Sequence, residues 1–133
     1  MQSQPLIIDF PSNGSMEIGY IAIGENFKAV PFEIKRVFWA YYTPDSVLRG
    51  RHAHHGTEMI LIAAAGRIVV TTEMPGQQPE VFILEKPTQG LYLPKLCWHT
   101  MQYSHNAVQL VLASTIYNES DYIRDYEQFR PIR

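Results

Sequence analysis

The chain is short of cysteine, of surplus charge and of long apolar runs, and each shortage removes a class of protein. A single cysteine, Cys97, among 133 residues excludes an intrachain disulfide framework and suits a reducing compartment. The net charge is −2, so the basic surplus of a nucleic-acid-binding domain is missing. No apolar stretch approaches the roughly 18 residues that a membrane-spanning helix requires. The opening "MQSQPLIIDF" has no basic segment before its short apolar run and does not read as a secretory leader. Repeats, low-complexity tracts and linkers are also missing. These features predict a cytoplasmic protein with neither membrane nor nucleic-acid partners, folded as one domain over 1–133.

What is present is a series of short β-rich runs separated by turn signals. They are 6–10, 17–24, 32–43, 58–66, 67–74, 80–86, 90–94 and 106–115, rich in β-branched and aromatic residues. Asn13-Gly14 marks a turn, and "TPDS" and "PGQQP" break the later runs. In 106–115, Val108, Leu110 and Leu112 alternate with Gln109 and Val111, so the two sets point to opposite faces. Only the tail reads as helical. Asn118 is placed as its N-cap, with Asp121 at the capping-box position, and Tyr122, Tyr126 and Phe129 form a stripe that Pro131 ends. Many short strands with a short C-terminal helix predict an all-β sandwich or barrel, of which the jelly roll is one closure. The cleft at its open end is the default small-molecule site.

The chemistry concentrates in "RGRHAHHGTEM", Arg49 to Met59. On an extended segment His52 and His54 share a face, while Arg51 and His55 take the other. Glu58 has the parity of the first pair, across the breaker Gly56. His99, in "LPKLCWHT", joins from a distance, and His105 completes the five histidines. The set resembles the two cupin motifs. Gly50, His52, His54, Glu58 and Gly66 match the first, and Pro94 and His99 match the second, with Leu96 in place of its glycine. Three readings fit these residues: polar groups satisfying one another in a barrel mouth, a metal held by His52, His54, Glu58 and His99, or metal-free proton transfer by imidazole.

Four segments carry a closer resemblance. "IKRV", "RGRHAH", "GLYLP" with "WH", and the tail "NESDYIRDYEQF" are similar to those of the sugar-nucleotide 3,4-ketoisomerases of the cupin superfamily, over about Ile18 to Phe129. The resemblance implies a cupin-type jelly roll, a homodimer, no cofactor and no metal. It also implies isomerisation of dTDP-4-keto-6-deoxy-D-glucose to a dTDP-3-keto-6-deoxyhexose. By the same resemblance, His52 is the catalytic base, with His54 beside it holding or relaying protons, and His99 lies near the sugar. Arg36 and Arg49 occupy the family's basic positions, suited to a diphosphate. Two positions depart from the family. Phe38 replaces a tyrosine at the substrate, and Ile18 stands where a polar residue approaches the sugar. Tyr42 has the parity of Phe38 but lies about 13 Å further along an extended strand. A metal-dependent, dioxygenase-like cupin and a non-catalytic dTDP-sugar binding protein are the alternatives.

Overall fold

Residues 98–103 show why this chain folds as sheet: His99, Met101 and Tyr103 are buried, while Trp98, Thr100 and Gln102 are more open. Alternation of this kind gives each strand one face for a core and one for its surroundings. The computed structural model describes residues 3–133. The first strands are β1 (Leu6–Asp9), β2 (Ser12–Ser15), β3 (Gly19–Ala22), β4 (Arg36–Tyr41), β5 (Leu48–His54) and β6 (Met59–Ala65). Then follow β7 (Ile68–Glu73), β8 (Glu80–Leu84), β9 (Gln89–Leu93), β10 (Trp98–Tyr103) and β11 (Val108–Ala113). A 3-10 turn over Glu119–Asp121, the short strand β12 (Tyr122–Ile123) and the helix α1 (Tyr126–Phe129) close the chain.

One sheet runs β1, β9, β6, β11, β4, and the other runs β12, β5, β10, β7, β8. Neighbouring strands in both are antiparallel. The main core lies between them, with Leu61 and Val111 of the first sheet meeting Val70 and Met101 of the second. Each outer face is covered in part. Phe10, Val30 and Phe32 pack on Ile60 and Leu112, and the tail's Ile123 and Phe129 pack on Ala53. Val111 and Leu112 therefore serve different cores, as the alternation of β11 predicts.

Three local expectations are corrected. Asn13-Gly14 is not the hairpin turn. Both residues pair within β2 and β3, and the turn falls at 16–18. Gly14 is required there because its φ is +135° and a Cβ would lie 2.0 Å from the Gly19 carbonyl oxygen. The run 32–43 is strand only over Arg36–Tyr41, and Phe32 instead plugs the outer core. The tail is not one helix from Asn118. Asn118 caps only the 3-10 turn, and Tyr122 and Ile123 turn extended to pair with His54 and Ala53 of β5. The open edge of β5 offers a ladder, and that pairing outweighs the local helical pattern. The α-helix then starts at its own N-cap, Asp125, which accepts from the Glu127 amide.

Candidate active site

Between the sheets, at one open end, lies a cavity of about 380 Å³. His52 and His99 stand on its wall, with Arg49, Phe38, Tyr122 and Arg124. A backbone irregularity brings Arg49 there. Simple alternation from His52 would send Arg49 to the same face as Arg51. The register of β5 against β10 slips by one residue, however: His52 pairs with His99, and Gly50 with Thr100. Arg51 is the extra residue, with φ of 61°, and it is exposed. The bulge puts Arg49 opposite Met101, on the His99 face. Gly50 makes the bulge possible. Its φ is +84°, and a Cβ would lie 2.8 Å from the His99 carbonyl oxygen. Gly50→Ala is therefore expected to cost about 2 kcal/mol, read as a lowered thermal midpoint.

Three imidazoles cluster at this end. The ring centroids of His52 and His99 are 4.7 Å apart, those of His52 and His54 5.0 Å, and those of His54 and His99 6.3 Å. Each ring has its Nδ1 held by an oxygen. His52 donates to the Gly50 carbonyl, His99 to the Cys97 carbonyl, and His54 to the Asp121 carboxylate, each at 3.0 Å. A carbonyl or carboxylate oxygen only accepts, so the proton of each neutral ring sits on Nδ1 and each Nε2 keeps its lone pair. Burial, with repulsion between the rings whenever more than one is protonated, pushes the pKa of His52 and of His54 down to about 4 and that of His99 to about 3. All three are therefore neutral near pH 7.

The sequence-predicted residues separate on this geometry. His52, His99, Arg49 and Phe38 line the cavity. His54 is only 3% exposed and sits behind His52 rather than on the wall. Arg36 is not on the wall either. Its guanidinium lies between the rings of Phe38 and Tyr117, at 5.3 and 5.7 Å. Glu58 does not join the histidines. The chain bends at 55–56 to cross between sheets, and the Glu58 carboxylate accepts from the Tyr92 hydroxyl at 2.6 Å, in a separate cavity with Pro94. Among the described residues no three His, Cys, Asp or Glu side chains form a group arranged to hold a metal ion. His55 and His105 are exposed, and Tyr42 is exposed with φ of 57° and off the wall. Ile18 lies at the tip of the β2–β3 hairpin, 84% exposed.

Sequence reasoning missed what the tail contributes. The ring of Tyr122 packs 5.0 Å from His52 and 4.3 Å from His54. Arg124 covers that ring at 4.1 Å and bonds Glu119 through Nε at 2.7 Å and a terminal nitrogen at 2.9 Å. Gln109 and Tyr103, bonded to each other, complete the cavity floor. The tail motif was the available signal, and its helical spacing hid the roles of its residues.

A jelly roll whose open end holds neutral imidazoles beside an arginine has the architecture of a cupin. The family described as FdtA, WxcM-like C-terminal, matches residues 3–133. A TDP-4-oxo-6-deoxy-alpha-D-glucose-3,4-oxoisomerase of Aneurinibacillus thermoaerophilus is 40% identical over 125 residues, covering 93% of this chain and 84% of that protein. A 3,4-ketoisomerase from Helicobacter canadensis superposes with a TM-score of 0.90 at 37% identity, over 96% of each chain. QdtA, a sugar 3,4-ketoisomerase from Thermoanaerobacterium thermosaccharolyticum solved with TDP, gives 0.90 at 31% identity, over 97% of this chain and 93% of its own. The chain belongs to the FdtA, WxcM-like C-terminal family, and it is an isomerase of the 3,4-ketoisomerase class.

Proposed function

We propose that the chain converts dTDP-4-keto-6-deoxy-D-glucose to a dTDP-3-keto-6-deoxyhexose, with His52 carrying the proton between C3 and C4. The observation that carries this reading is the state of His52: neutral, on the cavity wall, with Nδ1 tied to Gly50 and Nε2 unprotonated. The substrate class follows from the relatives, one of which is named for TDP-4-oxo-6-deoxyglucose and another of which was solved with TDP.

The step balances without an oxidant. His52 Nε2 takes the C3 proton, made acidic by the C4 carbonyl. The C–H electron pair becomes the C3–C4 double bond, the carbonyl pair moves to the C4 oxygen, and that oxygen takes a proton from solvent. The enediol then loses the C3 hydroxyl proton to solvent, forms the C3 carbonyl and takes the proton back from His52 at C4. Arg49 on the wall supplies positive charge for a diphosphate, whereas Arg124 there is already paired with Glu119. His99 is suited to the sugar end, beside His52. Arg36 acts from behind Phe38 rather than by lining the site.

Incubation with the 4-keto sugar is expected to yield the 3-keto isomer, followed by NMR as loss of the C3 proton and gain of one at C4; in D2O, a proton that His52 exchanges with solvent before returning it is replaced by deuterium at C4. Phe38, which brings no hydroxyl to the wall, favours a second reading as a non-catalytic dTDP-sugar binding protein. Tight dTDP binding with neither 3-keto product nor exchange at either carbon would establish that reading and overturn the first.

The functional unit in this proposal is a homodimer. Met16, Ile18, Tyr20 and Ile21 of the β2–β3 hairpin are 63–90% exposed, an apolar surface that a second copy would cover. Sedimentation equilibrium is expected to give twice the chain mass, and a monomer at micromolar concentration would overturn the dimer.

A further inference from the structure

Asp121 binds the tail to the histidine cluster through both carboxylate oxygens. Oδ1 accepts from the Gly56 amide at 2.6 Å, and Oδ2 accepts from the Thr57 hydroxyl at 2.5 Å and from His54 Nδ1 at 3.0 Å. The Thr57 hydroxyl in turn accepts from that of Thr115 at 2.6 Å. Every bond arriving at the carboxylate is a donated one, so His54 must hold its proton on Nδ1. Its other nitrogen, Nε2, is buried and finds no partner among the described residues. A buried acceptor left unpaired costs free energy, so its retention calls for a reason. His54 packs against the His52 ring and carries that bare nitrogen.

We propose that Asp121 is a positioning residue of the isomerisation: by holding the His54 proton on Nδ1, it makes the imidazole behind His52 present a lone pair instead of a positive hydrogen. A proton arriving on His52 is then stabilised by the neighbouring ring rather than repelled by it. The inference rests on the reading of His52 as base.

Asp121→Asn tests it by rearranging one proton. The Gly56 amide still demands an acceptor, so the new carbonyl oxygen takes the Oδ1 place. The amide NH2 then occupies the Oδ2 place and donates to His54 Nδ1. The His54 proton moves to Nε2. The expected result is a fall in kcat on the order of a hundredfold with KM changed less than threefold. In protein labelled with 15N-histidine, the His54 protonated nitrogen is expected to be Nδ1 in the wild type and Nε2 in the variant. Asp125→Ala, which removes the α1 cap and touches no histidine, is the comparator for mere loosening of the tail. It is expected to lower the thermal midpoint by about 5 °C with kcat within twofold. A wild-type His54 protonated on Nε2, an unchanged kcat in Asp121→Asn, or an equal loss in Asp125→Ala would each overturn the proposal. The wild-type spectrum decides the proton's place even if the variant does not fold. If the wild type forms no 3-keto product, the function reading fails, and the spectrum still judges Asp121 separately.

Discussion

His52→Ala is expected to lower kcat about a thousandfold, equivalent to about 4 kcal/mol of barrier, with dTDP affinity within about threefold of wild type. The split follows from the placement of the ring. His52 spends its Nδ1 on the Gly50 carbonyl and not on ligand, so its removal takes away no diphosphate contact. Arg49 and Arg124 remain on the wall. What is lost is the one wall imidazole assigned to take the C3 proton. Single-turnover measurement of C3 proton loss, beside a dTDP titration, separates the two quantities. Full exchange in the variant would remove His52 from the mechanism, and His99, the other imidazole on the wall, would be the residue to test next.

The second large effect is acid lability. The folded chain holds three imidazoles with pKa values of about 4, 4 and 3, against an ordinary value of 6.5. Between pH 6.5 and 4 the unfolded chain therefore binds more protons than the folded one, and stability falls as the pH falls. It is fully present above 6.5 and is lost progressively below it. The two rings with the least exposure, His54 at 3% and His99 at 1%, contribute about 4 kcal/mol of this loss by about pH 5. That is comparable to the whole stability of a marginal domain. The thermal midpoint is expected to fall steeply between about pH 6.5 and 5, and His99→Gln is expected to flatten the slope. Below neutrality, activity is expected to hold until the fold itself yields, because His52 is already neutral. A rate that halves near pH 6.5 in protein that stays folded would contradict the depressed value for His52.

Much of the site was legible because it follows local rules. Strand parity placed His52 and His54 together and sent His55 to the surface, and parity depends only on the period of an extended chain. Other residues escaped for identifiable reasons. Arg49 and Arg51 have the same parity, and only the bulge at Gly50–Arg51 distinguishes them. Glu58 fits the motif by spacing, yet the bend between β5 and β6 turns it toward Tyr92. The tail misled most. Its helical stripe is real in composition, but Tyr122 and Ile123 gain a strand partner in β5, and Asp121 gains three donors from 54–57. Pairing with a distant strand outweighs a local preference of a few tenths of a kcal/mol per residue.

The sequence by itself determined the all-β class, the approximate strands, the family, and the residue types from which an active site could be built. These rest on periodicity, turn chemistry and motif, all of which are properties of near neighbours along the chain. Only the tertiary structure decided which of those residues meet. It joined His99 to His52 across β5 and β10, removed Glu58 and Arg36 from the wall, and brought Tyr122, Arg124 and Asp121 from the far end of the chain. It also decided the protonation of the cluster, because burial and fixed oxygen acceptors set which nitrogen of each imidazole carries the proton. Neither burial nor the identity of an acceptor 67 residues away is written in local sequence.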